Sequence, residues 1–135
     1  MKEMTLKTMT SSGVPNLNGV IYSKEEFEKM LENTDVSTIV VSKGCNYEDK
    51  SIENYLTIHP ETIVCNVISI LDGSIRVEIP DDKIDFINEV LNKGFLPGMR
   101  YLGELSDRDE KGFQHVSNMK LICYDFVTSI QPDIH

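Results

Sequence analysis

Apolar positions change their period several times along this chain, and each change marks an element. From Met4 to Thr10 polar and apolar residues alternate, the mark of a strand with one buried face. Ser11 to Gly19 holds two Asn, two Gly and Pro15, which predicts a loop. Ser23 is placed to N-cap a helix, with Glu26 three residues on to complete a capping box, and Tyr22 and Phe27 take the staple positions. Phe27, Met30 and Leu31 then share one face, so the spacing predicts a helix over Lys24–Glu32. Val36–Ser42 is rich in β-branched residues and predicts a strand. Lys43 to Tyr55 is polar and predicts a surface loop.

Thr62–Leu71 and Ser74–Ile79 are two β-rich runs separated by Asp72-Gly73, a two-residue hairpin signal. Pro80-Asp81-Asp82 opens a second helix, where acidic residues suit the positive end of the helix dipole. Its stripe is Ile84, Ile87, Val90 and Leu91, its span Asp82–Lys93, and Gly94 is placed as a left-handed stop. Phe95–Leu105 predicts a strand, broken or bulged near Pro97-Gly98. A charged turn over Ser106–Gly112 leads into a long final strand, Val116–Ile130. Strands do not alternate regularly with helices. The fold expected is therefore α+β, a mainly antiparallel sheet or small β-barrel flanked by two short helices. At 135 residues, one domain over residues 1–135 is expected.

Composition narrows the function. The chain carries 13 basic and 22 acidic residues, a formal charge of −9. Phosphate binding needs clustered Lys and Arg, and here they are scattered, so a nucleic-acid partner is not expected. No apolar run reaches the roughly 20 residues of a membrane helix, and the first residues have no signal-peptide core. Cys45, Cys65 and Cys123 form an odd set without a C-x-x-C pair, and the last two lie in strand-like apolar runs. Buried, reduced thiols and a reducing compartment are the ordinary reading.

Three segments carry a resemblance. Asn16-Leu17-Asn18-Gly19-Val20-Ile21-Tyr22 stands near the start, Met99-Arg100-Tyr101-Leu102-Gly103 follows the second helix, and Cys123-Tyr124-Asp125-Phe126-Val127-Thr128-Ser129 comes late in the chain. In that order they resemble the prohead proteases of tailed bacteriophages, which carry an Asn-x-Asn-Gly-x-x-Tyr opening, a Gly-Val-Ser-Ser-Arg-Gly-like nucleophile strand and a late Phe-Asp-x-Val-Ser strand. The resemblance implies the β-barrel-with-helices fold of herpesvirus assembly proteases. It also implies a histidine base in a His-Pro pair upstream of the nucleophile. His59-Pro60 resembles that base, and Asp125 resembles the acid that would orient it. When Arg100 and Gly103 are held in register, however, Gly98 and Met99 fill the two serine positions, and neither offers a hydroxyl or thiol.

A base works only with a nucleophile in hydrogen-bond reach. Ser106 lies past the strand in the charged turn, and Cys123 sits in what reads as core, so neither replaces the serine convincingly. Asp125 on its own reads as a polar residue on an outer strand face or as a partner for Arg100. No metal or cofactor is expected: His59, His115 and His135 lack ligand spacing, Asp107-Arg108-Asp109-Glu110 lacks the features of a calcium loop, and phosphate-loop motifs are absent.

The leading expectation is a non-catalytic phage or prophage protein with a protease-like fold. It would act in capsid assembly or as a head component, in the host cytoplasm or virion, with capsid or scaffold protein as partner and as a homo-oligomer. Asn16, Asn18, Tyr22, Arg100 and Tyr101 are the candidate partner- or ligand-binding residues, since basic and aromatic groups side by side are enriched at interface hot spots. The alternative is a phage binding protein that sequesters a host defence factor or a signalling nucleotide in a pocket of Tyr22, Arg100 and Tyr101. An active protease with an unrecognised nucleophile is the third.

Overall fold

A computed structural model describes residues 1–16, 18–44 and 51–126. In chain order the elements are strands β1 (Lys2–Lys7) and β2 (Val20–Ile21), helix α1 (Lys24–Glu32), strand β3 (Val40–Ser42), helix α2 (Ile52–Leu56), strands β4 (Ile63–Leu71) and β5 (Ser74–Ile79), helix α3 (Ile84–Asn92), and strands β6 (Pro97–Leu105) and β7 (Gln114–Phe126). The strands form one sheet in the order β1-β5-β4-β3-β7-β2, with β6 on the other side of β7. Pairing is antiparallel except where the short β2 and β3 run parallel to β7. The expected α+β class and mainly antiparallel sheet are therefore present, but among the described residues the ladder does not close into a barrel. A backbone hydrogen bond from Met9 N–H to Pro97 O at 2.9 Å links the chain just past β1 to the start of β6.

The local chemistry explains the elements that matched. Ser23 Oγ accepts from Glu26 N–H at 3.1 Å and starts α1 at the expected residue. Tyr22 stacks on Phe27 with ring centroids 5.7 Å apart, as a staple should. The return half of the capping box is not made, because the Glu26 carboxylate turns instead to Asn118 N–H and Lys29. Asp72-Gly73 forms the tight turn between β4 and β5, with Leu71 opposite Ser74 and Gly73 at φ +91°. Gly94 at φ +84° follows α3 as its left-handed stop.

Other expectations needed correction. The first strand lies at Lys2–Lys7 instead of Met4–Thr10, and Thr8 Oγ1 turns back to Thr10 O. Only Val40–Ser42 of the Val36–Ser42 run is strand. The Asp35 carboxylate accepts from both Ser37 N–H and Ser37 Oγ and winds Val36–Thr38 into a 3₁₀ turn. Asp81–Lys83 is likewise a 3₁₀ turn, so the second helix begins at Ile84. The expected loop of Lys43–Tyr55 ends in α2, capped by Ser51 Oγ on Asn54 N–H. The last strand runs over Gln114–Phe126, and the rest of its expected span lies outside the described residues, as does Cys45. The irregularities in β6 fall between Arg100 and Tyr101 and between Leu102 and Glu104, not at Pro97-Gly98.

The core joins both sheet and helices: Val41, Val64, Ile75, Val77, Ile87, Tyr124 and Phe126 are all buried. Phe86 meets Phe126 edge to face at 6.4 Å, which fixes α3 over the end of β7. Cys65 and Cys123 are buried, and burial pushes the Cys65 thiol up to about 12. Among the described residues no helix is long and apolar enough to cross a membrane.

Candidate functional site

The start of β6 is where the resemblance places a nucleophile, and register sets its neighbours. Gly98 lies opposite Asp125, Met99 opposite Tyr124 and Arg100 opposite Cys123 on β7. On the other side of β7, Ser42 of β3 also lies level with Asp125. Three strands thus bring Arg100, Asp125 and Ser42 together in the interior.

Arg100 grips the Asp125 carboxylate with two donors, Nε to Oδ2 at 2.9 Å and Nη2 to Oδ1 at 2.8 Å. The two side chains are 2% and 1% exposed, so the pair is fully desolvated. Such a pair is tolerable only when the remaining lone pairs and protons find partners. They do: Ser42 Oγ donates to Asp125 Oδ1 at 2.5 Å and itself accepts from Gly44 N–H at 2.9 Å. Cys123 Sγ donates weakly to the same oxygen at 3.5 Å. The third Arg100 nitrogen, Nη1, donates to the carbonyls of Tyr55 at 3.2 Å and Thr57 at 2.9 Å. The Tyr55 hydroxyl donates to Tyr101 O at 2.7 Å and accepts from Tyr101 N–H at 3.1 Å. Burial pushes the Tyr55 phenol up to about 12, so it keeps its proton at neutral pH.

These bonds hold the segment just before His59 against the strand that carries Gly98 and Met99. Strand and histidine segment are thus brought side by side. Gly98 has no side chain, and Met99 is 5% exposed and packs in the core. Asp125 is taken up by Arg100 and Ser42 and makes no hydrogen bond to His59 among the described residues. The His59 carbonyl, not its ring, is what binds locally, accepting from Thr62 N–H and Oγ1. The reading of Asp125 as an outer-face residue is corrected: it is interior, and it is the partner of Arg100.

The other expected binding residues turn largely inward. Tyr22 is 4% exposed, and burial pushes it up to about 12. Arg100 is interior, and Tyr101 is half-buried with its phenol also raised by burial. Asn16 organises its own loop: its Oδ1 accepts from Asn18 N–H and Val20 N–H, both at 2.9 Å. That is a scaffold role for the Asn-x-Asn stretch.

Sequence reasoning missed Ser42 and Tyr55. Ser42 ends a β-branched run and looked like a strand boundary; Tyr55 sat in a stretch expected to be loop. It also missed a second pair. At the far end of the β6–β7 ribbon His115 Nε2 lies 2.8 Å from Asp109 Oδ2, and both are exposed. The His115 hydrogen bond, and then the Phe113 N–H, hold the Asp109 carboxyl below its usual range. A groove of about 420 Å³ runs beside them, lined by Pro15, Ile21, Lys111 and Phe113. Ser106 is near, but its Oγ accepts from His115 N–H and donates to Asp107 O, so it is not aligned with the imidazole. Among the described residues no three His, Cys, Asp or Glu gather to hold a metal ion.

No family model matches the sequence, and no curated protein matches it. The structure, however, is similar to that of the bacteriophage T4 capsid assembly protease, gp21, with a TM-score of 0.69 at 19% identity, covering 94% of this chain and 81% of that one. The chain therefore has the fold of a phage capsid assembly protease, with an Arg100–Asp125 ion pair buried beside the strand start where the resemblance sets a nucleophile.

Proposed function

We propose that this chain is a phage protein of capsid assembly that works by binding and does not cut. The observation that carries the reading is the start of β6. Gly98 and Met99 offer no nucleophile, and the neighbouring Asp125 is locked to Arg100 and Ser42. Acyl transfer needs a nucleophile, a base within hydrogen-bond reach and a group that orients the base. Among the described residues no nucleophile stands at this strand start, and the carboxylate serves the core. The fold likeness to a capsid assembly protease supports capsid or scaffold subunits as partners and the host cytoplasm or virion as the place of action. A second copy of the chain is a further expected partner, since soluble assemblies are commonly symmetric homo-oligomers.

The nucleotide-sequestering alternative asked for a pocket of Tyr22, Arg100 and Tyr101. Tyr22 and Arg100 are buried and engaged, so no observation favours it.

The test is to size the purified protein alone and mixed with phage capsid or scaffold protein, using wild type and His59→Ala. Complex formation without cleavage, equal in both, is the expected result. Cleavage of the partner that disappears in His59→Ala would overturn the reading.

A further inference from the structure

The bonds between Tyr55 and Tyr101 have the form of strand pairing. In an antiparallel ladder, a hydrogen-bonded residue gives its N–H to the residue opposite and receives one in return. The Tyr55 hydroxyl does both with one oxygen, donating to Tyr101 O and accepting from Tyr101 N–H. These Tyr101 groups point away from β7, to the outer edge of β6. Further back on the same edge, Pro97 O is met by Met9 N–H. An exposed edge of this kind is a template for another chain, and proteins cover such edges.

The cover is a surface element. Helix α2 has five residues and buries none of them. Ile52 and Leu56 are 59% and 45% exposed. Among the described residues, polar bonds fasten the segment to β6, two at the Tyr55 hydroxyl and two from Arg100 Nη1 to the Tyr55 and Thr57 carbonyls. The Tyr55 hydroxyl can leave Tyr101 by rotation of its side chain while the Tyr55 and Thr57 carbonyls stay on Arg100. Elements with few buried apolar contacts move at a lower free-energy cost than the packed core. An incoming strand would replace the Tyr101 bonds one for one.

We propose that the outer edge of β6 around Tyr101 is a docking site for an extended, basic segment of another polypeptide, held shut by the Tyr55 hydroxyl. Backbone pairing gives such a site its affinity. The basic preference follows from the net charge of −9 and from Glu53, Glu61 and Glu104, exposed on α2, on the turn before β4 and on β6. The proposal is independent of whether the chain cuts its partner.

Tyr55→Phe tests it, because the change keeps the ring and removes only the oxygen. The probe is a short end-blocked peptide of alternating valine and lysine, and the control carries proline at the valine positions, which deletes the N–H donors. In the full-length variant, amide exchange at Tyr101 should speed up while amides of β7 stay protected. The variant should bind the valine–lysine peptide about tenfold more tightly than wild type, a difference of about 1.4 kcal/mol. Equal affinity of the two proteins, or an equal gain with the proline control, would overturn the proposal. A second reading needs no variant: at saturating peptide, wild-type amide shifts should centre on Tyr101. Shifts confined to any other part of the sheet would also overturn it.

Discussion

The two ends of the β6–β7 ribbon carry carboxylate pairs of similar geometry in opposite surroundings. At one end Asp125 meets Arg100 at 2.8 Å with both side chains almost wholly out of water. At the other, Asp109 meets His115 at the same distance with side chains 36% and 57% exposed. Distance alone would rank them equal. Burial separates them, because removing one partner of a desolvated pair strands a charge, whereas an exposed pair gives way to water. The buried pair also reaches further: it ties β6, β7, β3 and the segment before His59 into one node. The carboxylate that the resemblance would assign to catalysis is thus the one the fold depends on. Among the described residues no aligned nucleophile serves the solvent-facing His–Asp pair.

The strongest way to break this comparison is Asp125→Ala, which leaves the Arg100 guanidinium buried and unpaired. We expect a loss of about 3–5 kcal/mol in a denaturant melt, the usual cost of stranding one partner of a buried pair. A loss as small as that of an exposed pair would mean that the node is not a structural centre.

Alkaline pH is the next probe. Burial pushes Cys65, Tyr22 and Tyr55 each up to about 12, whereas their ordinary values are 9.0 for the thiol and 10.0 for the phenols. Above those ordinary values the unfolded chain has lost protons that the folded chain keeps. Stability is therefore full below about pH 9 and falls as pH rises towards about 12. Melts that hold constant across that window would show these groups to be solvated.

Ser42→Ala sharpens the comparison within the node. It removes one donor to Asp125 and the acceptor for Gly44 N–H, and should cost about 1–3 kcal/mol, as unsatisfied buried polar groups do. Ser23→Ala, at an exposed helix start, should cost about 1 kcal/mol through the loss of its cap alone. The smallest effect is expected at the far end of the ribbon. Asp109→Asn should leave the thermal melt at neutral pH indistinguishable from wild type. A clear loss there would erase the contrast between the two ends.

Local signals in the sequence located what local chemistry determines. Ser23, Tyr22 with Phe27, Asp72-Gly73 and Gly94 each act through neighbours a few residues away, and each sits where its pattern implied. The failures are of two kinds. In one, a short polar side chain outcompeted a propensity, as when Asp35 wound part of a β-branched run into a turn. In the other, the partners are distant: Ser42 finds Asp125 across 83 residues, and Tyr55 finds Tyr101 across 46. No periodicity encodes such contacts. Arg100 and Asp125 were open to pairing in the sequence, but their burial was not. That burial turns a plausible surface contact into the centre of the node.

We propose that this protease-like frame performs no acyl transfer, because its strand start carries Gly98 and Met99. The most direct measurement is the intact mass of wild-type and His59→Ala protein after exposure to a serine- and cysteine-reactive active-site phosphonate, with adducts located by peptide mapping. No adduct that depends on His59 is expected. An adduct on Ser42, Ser106 or Cys123 in the wild type that is lost in His59→Ala would contradict it.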